Sequence, residues 1–292
     1  MKINIYTSLN GVGLEKDASL LIKLLSGCGY EIHVFDRKRS QRGNRADIQI
    51  HLEIPRYDCI QLSKRNILIP NPEWFYPNWK DGLLKFKEIW CKTLDSFKIF
   101  QKLHQSCVLT GFISQDFYLP EIRKEKKLIH ISGYSKTKGT LEIIKAYRRD
   151  KNLPKCLFVG TSEWDVSGCN IEQLGRVSES DLKRLMNENL IHLCPSYYEG
   201  WGHYLHEAAS TGAIVITTDA PPMSEFFKTH LVRVSHTSKM NSAIMSYPDS
   251  ESIALLIREV MQSDFLLETG MYNRNQFLER NTASESAILL GI

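Results

Sequence analysis

The sequence predicts an α/β protein of two doubly wound domains, each a mostly parallel sheet with helices packed on both faces. Three observations predict it. Short apolar runs alternate with amphipathic ones along most of the 292 residues, the pattern of repeated βαβ units. The alternation breaks at Leu119-Pro120-Glu121-Ile122-Arg123-Lys124-Glu125-Lys126-Lys127, a proline followed by a charge run, and then restarts. The length also suits two domains better than one.

In the first half, strands are expected at 2–6, 31–35, 48–51, 66–69, 88–91 and 107–110, and helices at 16–26 and 94–103. In the second half, strands are expected at 128–131, 156–159, 171–174, 190–194, 213–217 and 231–234. Helices are expected there at 140–147, 179–187, 203–210 and 252–263, and the tail from Leu266 has a helical pattern. The expected domains are 1–122 and 123–270, followed by a helical segment at 271–292. Ligands of such sheets bind beyond the carboxyl ends of the strands, so a cleft between the two domains is the expected site.

The composition is that of a globular protein, 42% hydrophobic and 24% charged. No apolar run reaches the roughly 18 residues of a membrane span. The first residues, Met1-Lys2-Ile3-Asn4-Ile5-Tyr6, read as a strand and lack the pattern of a signal peptide. Seven cysteines are scattered without a Cys-x-x-Cys pair. They read as reduced thiols of a cytoplasmic protein, and no Cys/His spacing suggests a metal site. The net charge is +4, and residues 1–125 hold 19 Lys/Arg against 14 Asp/Glu. The densest cluster, Arg37-Lys38-Arg39 with Arg42 and Arg45, reads either as a solvated loop or as a docking surface. The partners of such a surface would be an anionic acceptor, a lipid headgroup at a membrane surface, or nucleic acid.

One segment carries most of the functional information: Pro195-Ser196-Tyr197-Tyr198-Glu199-Gly200-Trp201-Gly202-His203-Tyr204-Leu205-His206-Glu207-Ala208. A strand leads in and another leads out, so the order is strand, glycine loop, helix, strand. That order aims backbone N–H groups and a helix N-terminus at an anion, usually a phosphate. Gly200 and Gly202 allow close approach of a ligand. Carboxylates at Glu199 and Glu207 suit hydroxyl groups, as on a sugar or a ribose. The bland alternative makes Glu207 a solvated helix residue and the glycines a simple turn.

This segment resembles the Glu-x7-Glu motif of retaining GT-B glycosyltransferases, family four in particular. The family's form is Pro-Ser-x-x-Glu-Gly-Phe-Gly-x-x-x-x-Glu-Ala, and here Trp201 replaces the Phe. The resemblance implies two Rossmann-like domains and a last helix that crosses back onto the first of them. It implies that Glu199 contacts the donor sugar and that Glu207 holds the ribose.

A second element, Gly133-Tyr134-Ser135-Lys136-Thr137-Lys138-Gly139-Thr140, is a small-residue turn with a lysine and a glycine opening a helix. Ammonium and helix N-terminus together would hold a diphosphate. It resembles the family's Gly-Arg…Lys-Gly element: Lys138-Gly139 match, Tyr134 stands where Arg is usual, and Lys136 would supply the charge. Gly160 ends another strand. Leu174-Gly175-Arg176-Val177-Ser178 resembles the element whose backbone meets the nucleotide base, and Ser178 also reads as a helix N-cap. Thr218-Asp219-Ala220-Pro221-Pro222-Met223-Ser224-Glu225 resembles the family's Thr-Asp-x-Gly-Gly-x-x-Glu, with Pro221-Pro222 for the glycines; Glu225 reads equally as an early-helix carboxylate favoured by the dipole.

In the first domain, Gly11 and Gly13 follow the first strand and suit a loop facing the cleft. Asn71, Glu73 and Trp74 follow the fourth strand and suit the acceptor side, with Phe75, Tyr76 and Trp79 as further stacking rings or as a core cap. His51-Leu52-Glu53 is a second candidate near the reacting centre; a strand-end His is also an ordinary structural residue.

The resemblance implies transfer of a sugar, of hexosyl type, from a UDP- or GDP-sugar, with retention and with no metal or other cofactor. The acceptor would be a glycan, a glycolipid or another anionic molecule. Alternatives are a GT-B glucosyltransferase of modified DNA bases, a nucleotide-sugar epimerase, and a non-catalytic nucleotide-sugar-binding protein.

Overall fold

The structure is a computed structural model that describes residues 1–292 apart from Asn10, Val12, residues 38–42, Tyr134 and residues 161–163. The chain forms two compact units. Unit 1 comprises Met1–Ile113, Lys239–Ala243 and Asn281–Ile292, and unit 2 comprises Ser114–Ser238 and Ile244–Arg280.

Unit 1 is built on β1 (Lys2–Thr7), β2 (Glu31–Asp36), β3 (Ile48–Leu52), β4 (Arg65–Ile69), β5 (Glu88–Cys91) and β6 (Cys107–Leu109). All pair in parallel, in the order β2-β1-β3-β4-β5-β6. Helix α1 (Gly13–Gly27) follows β1 and α2 (Leu94–Phe100) follows β5. Leu14, Ala18, Leu21 and Leu25 of α1 are buried, a spacing of three and four residues that keeps one face on the sheet. All five residues of β3 are buried, as expected for a parallel strand covered on both faces. At the end of this sheet, Phe75, Phe86 and Phe100 pack with Leu68, Leu83 and Ile89.

Unit 2 repeats the plan with β7 (Glu125–Ile131), β8 (Cys156–Val159), β9 (Ile171–Leu174), β10 (Asn189–Cys194), β11 (Ile214–Thr218) and β12 (Leu231–Val232). These too are parallel, in the order β12-β11-β10-β7-β8-β9. Its helices are α3 (Thr140–Arg149), α4 (Glu179–Glu188), α5 (His203–Ser210), α6 (Met223–Phe226) and α7 (Ser250–Gln262). The long closing helix α8 (Leu266–Gly291) contributes to unit 2 as far as Arg280 and to unit 1 from Asn281. Its Gly270 lies against the backbone of Gly212, leaving no room for a side chain.

The α/β architecture is as expected, a pair of six-stranded parallel sheets. Three details differ from the sequence reading. β7 begins at Glu125, so part of the charge run at the break is the exposed start of a strand, paired to Asn189 of β10. The strand expected at 231–234 is followed by a two-stranded ribbon, β13 (Val234–Met240) and β14 (Ala243–Pro248). Tight helical turns occupy Tyr57–Leu62, Pro72–Trp74 and Pro77–Lys85, where Pro and aromatic residues gave no helical period. Among the described residues, no helix is long and apolar enough to cross a membrane.

Three histidines are built into the sheets as neutral rings. His51 is held down to about 3, His130 to about 4 and His192 to about 3, in each case chiefly by burial. Their ordinary value lies near 6.5, so the unfolded chain binds more protons than the folded one below that pH. Their contribution to stability is complete above about pH 6.5 and is lost as pH falls towards the folded values, with a slope of up to about 1.4 kcal/mol per pH unit for each ring. Melting temperatures measured between pH 7 and pH 4 should therefore fall steeply, and replacing His192 with Asn should flatten the profile. An equally steep profile in that variant would remove His192 from the account.

Candidate functional site

The site in unit 2 is made by two loops at the carboxyl ends of neighbouring strands, β7 and β10. The first runs from Gly133 to Gly139 and opens α3; the second runs from Pro195 to Gly202 and opens α5. His130 on β7 ties them together. Its Nδ1–H donates to Leu193 O at 2.7 Å, so its Nε2 accepts from the Thr140 hydroxyl at 2.8 Å. The first residue of α3 is thereby fixed to the sheet. Gly139 then passes the second loop with no room to spare. It has φ +70°, and a Cβ there would stand 2.0 Å from Pro195 O. Tyr197 N donates to Thr137 O at 2.8 Å, and the Tyr197 hydroxyl donates to Glu142 in the first turn of α3.

A chain of side chains runs across these loops. The Ser196 hydroxyl donates to Glu199 Oε1 at 2.6 Å. A serine has one proton to give, so Ser196 receives the Tyr204 hydroxyl as an acceptor. Burial, then the charges of Cys194 and Glu199, push the Tyr204 phenol well up, which keeps it a donor. The Lys138 ammonium rests on the face of the Tyr204 ring, 3.7 Å from its centroid. Among the described residues Lys138 has no carboxylate within ion-pair distance. Its charge is held in place by an aromatic face without being neutralised. Gly202 caps α5 in the left-handed conformation, φ +82°, which a side chain would strain.

The remaining residues expected at the donor site fall into distinct settings. Lys138 is half-buried and Lys136 exposed; Gly133 has φ +55°. Gly160 lies against Ser132 and Gly133, beside the first loop. Arg176 is exposed and Val177 half-buried, and Ser178 does cap α4, accepting from Asp181 N at 3.1 Å. Glu207 is buried on α5, at 5% exposure, which excludes the solvated-helix reading. Gly200 and Trp201 are buried as well. The Trp201 ring stacks on His206 at 4.2 Å and meets Phe226 edge-on, and its Nε1–H donates to Ser114 Oγ at 2.8 Å. His203 Nδ1 shares that hydroxyl at 3.0 Å. Trp201 thus braces the loop from behind. Tyr134 lies outside the described residues, as do Lys38, Arg39 and Arg42 of the basic cluster. Thr218 Oγ1 donates to Ser196 O at 2.6 Å, so the strand before Pro221-Pro222 also supports the second loop.

In unit 1, Gly11 has φ +73° and its N–H donates to Glu15 at 2.7 Å, and Gly13 starts α1. Asn71 precedes the turn after β4 and Glu73 lies within it, and Trp74, its last residue, has 45% of its surface exposed. His51 is a core residue: it is fully buried, stacked on Tyr6 at 5.0 Å, and its Nδ1 accepts from Arg56 N at 3.1 Å. Burial keeps it neutral, and burial also pushes up the carboxyl of Glu53, two residues on. The sequence reading missed the buried ion pair Lys92–Asp17 at 2.9 Å, whose partners are far apart in the chain. It also missed Tyr204 and Ser114. Among the described residues, no group of three or more His, Cys, Asp or Glu side chains is arranged to hold a metal ion.

The sequence model of a family described as glycosyl transferases group 1 matches residues 114–276. No curated protein matches the sequence. Among solved structures, a glycosyltransferase from Rickettsia africae aligns with a TM-score of 0.74 at 14% identity, over 99% of this chain and 96% of that one. A sucrose-phosphate synthase from Thermosynechococcus elongatus aligns with a TM-score of 0.75 at 11% identity, over 100% of this chain and 97% of its own. Anabaena HepE in complex with UDP and glucose aligns with a TM-score of 0.71 at 12% identity, over 100% of both chains. At these identities the likeness concerns the fold.

The contact at Gly139 has a measurable cost if disturbed. Gly139→Ala must place a methyl group against Pro195 O in a left-handed backbone, and should destabilise unit 2 by roughly 2–4 kcal/mol. Thermal melting reads the loss; an unchanged melting temperature would mean that the two loops are not held as described.

Proposed function

The chain belongs to the glycosyl transferases group 1 family, and on that premise we propose that it moves a hexosyl residue from a nucleoside-diphosphate sugar to an acceptor hydroxyl, with retention and without a metal ion. Its fold is GT-B. The observation that carries the reading is the connected series Lys138–Tyr204–Ser196–Glu199, which sets a cation and a directed carboxylate at the openings of α3 and α5.

In this reading the diphosphate lies at the N-termini of α3 and α5, where backbone N–H groups and the positive ends of the helix dipoles face it. As the bond from the anomeric carbon to the phosphate oxygen breaks, negative charge grows on that oxygen. Lys138 and the helix N-termini stabilise it, with Lys136 as a second cation. Glu199, aimed by Ser196, accepts hydrogen bonds from hydroxyls of the donor sugar and fixes its orientation. Glu207 accepts from the ribose hydroxyls, and the backbone at Val177 meets the base. The acceptor oxygen bonds to the anomeric carbon on the face the phosphate leaves, and its proton passes to the departing phosphate oxygen. The family resemblance supports this same-face course. Anabaena HepE and the pneumococcal transferase GtfA were each solved with UDP, which makes UDP the first nucleotide to try.

Thermal stabilisation by UDP, GDP, ADP, CDP and dTDP, each without added metal, tests the donor site. A nucleotide at about 100 times its Kd adds roughly 2.7 kcal/mol to stability. One of the five should do so, and Lys138→Ala should weaken it about 10- to 100-fold, as loss of a charged hydrogen bond does. Glu199→Ala should retain nucleotide binding and lose sugar transfer. If none of the five stabilises the protein, the donor reading fails and a non-catalytic role takes its place.

A further inference from the structure

We propose that Arg280, on α8, is a positioning residue for Glu199. It locks His206 and Phe226, the two walls against which Trp201 rests, and Trp201 fixes the loop that carries Glu199. The inference rests on the sugar-transfer reading above and adds to it a residue outside both loops.

The loop needs such a fixing. Trp201 has a glycine on each side, and the second of them, Gly202, is in the left-handed region at φ +82°. Glycine leaves the backbone more freedom than any other residue, so the path from Glu199 into α5 is poorly determined by the backbone itself. On one side, Ser196 aims the Glu199 carboxylate. On the other, the place of Glu199 depends on where Trp201 is anchored, two residues on.

Three groups anchor Trp201, which is only 4% exposed. Its Nε1–H donates to Ser114 Oγ at 2.8 Å. Its face lies on His206, with centroids 4.2 Å apart and planes 19° apart, and Phe226 meets it at 5.2 Å and 73°. Phe226 also meets His206, at 4.5 Å. Ring contacts are weakly directional, since offset-stacked and edge-on arrangements are both favourable over a range of separations. The two walls therefore need holding from outside.

Arg280 supplies the directional bonds. Its Nη2 donates to Phe226 O at 3.1 Å, its guanidinium carbon lies 5.1 Å from the centroid of the Phe226 ring, and its Nη1 donates to His206 Nδ1 at 3.4 Å. An arginine can only donate, so Nδ1 is bare and the ring carries its proton on Nε2. Burial, then the charges of Arg280 and His203, hold His206 well below its ordinary 6.5, so the ring stays neutral and keeps that lone pair. Nε2 is buried and has no hydrogen-bond partner. A guanidinium in this place is unfavourable by itself: burial pulls it down to about 10, and no carboxylate acts against that fall. It is still charged at neutral pH. An aliphatic side chain of like length would fill the space without the desolvation. What the arginine adds is a set of fixed contacts to both walls of Trp201.

Four full-length chains test this: wild type, Arg280→Met, His206→Phe and, as the conservative control, Arg280→Lys. The first reading is made without ligand. The five tryptophans give five indole N–H signals in a nitrogen-15 spectrum, and Trp201→Phe identifies that of Trp201. The Trp201 signal should shift or broaden in Arg280→Met while the other four stay in place. It should move less in His206→Phe, which keeps a ring on Trp201 and removes only Nδ1 and the unpartnered Nε2–H; this variant carries the test if Arg280→Met does not fold. Arg280→Lys, which still donates, should return the signal towards its wild-type position. The second reading is calorimetric titration with UDP, UDP-glucose, UDP-N-acetylglucosamine, GDP and GDP-mannose. In Arg280→Met the sugar nucleotide that the wild type binds should bind about 10-fold more weakly, and the free diphosphate within about twofold of wild type, because Glu199 meets the sugar alone. A purely structural loss would weaken both alike and disturb all the indoles. An unmoved Trp201 signal in both variants, or a loss that falls equally on diphosphate and sugar nucleotide, would overturn the positioning role. If no nucleotide binds the wild type, the donor reading fails instead, and the indole signals still decide whether Arg280 places Trp201.

Discussion

The close passage of Gly139 by the Pro195 carbonyl sets the geometry of everything else at the site of unit 2. Two loops from adjacent strands must come within backbone contact, and a single Cβ would hold them apart. His130 supplies the anchor, spending one ring nitrogen on β10 and the other on the first residue of α3. Because the backbones are this close, Ser196 comes under Tyr204, and Tyr204 comes under Lys138. The charges are thus arranged by a steric allowance. A lysine placed there by a longer, looser loop would lose several rotamers on binding, whereas here the aromatic face has already restricted it.

The same site reconciles two carboxylates with an anionic ligand. Glu199 is aimed by a hydroxyl within its own loop, and Glu207 is sunk into α5, where helix packing surrounds it. Neither pairs with Lys138 among the described residues. An ion pair between Lys138 and Glu199 would have been the cheaper resting state for an unliganded protein, and would have had to be broken at each binding event. Interposing Ser196 and Tyr204 keeps the opposite charges apart, since the Tyr204 hydroxyl donates to Ser196 and the Ser196 hydroxyl to Glu199.

The fold was largely legible in the sequence because its strands are buried on both faces. β10 and β11 are buried along their whole length and read as mainly apolar runs, broken only by Asn189 and His192 in the first and by Thr217 and Thr218 in the second. The ribbon of β13 and β14 was not legible, because Ser235, His236, Thr237, Ser238 and Lys239 are all exposed and carry no apolar period. At the site, the glycines and Glu199 announced themselves through local spacing. Tyr204 did not, because an aromatic residue on a helix more often signals core. The Lys92–Asp17 pair and the left-handed backbone of Glu53 lie beyond any local pattern: the first joins residues far apart in the chain, and the second is a conformation that its residue type disfavours. His51 shows the opposite error, a polar residue at a promising strand end that the fold uses as packing.

The apportioning of the chain between the two units bears on how the protein can be taken apart. Its backbone passes from one unit to the other after residues 113, 238, 243 and 280. Unit 1 is therefore assembled from three stretches of sequence, and the last of them sets Gly291 against Trp90 and the terminal carbonyls on Arg65. A gene fragment ending near residue 113 would encode a sheet stripped of its covering helix and of the ribbon tip that braces its aromatic turn. Chimaeras that graft a foreign unit 1 onto this unit 2 must exchange all three stretches together, and evolution exchanging such units would face the same accounting.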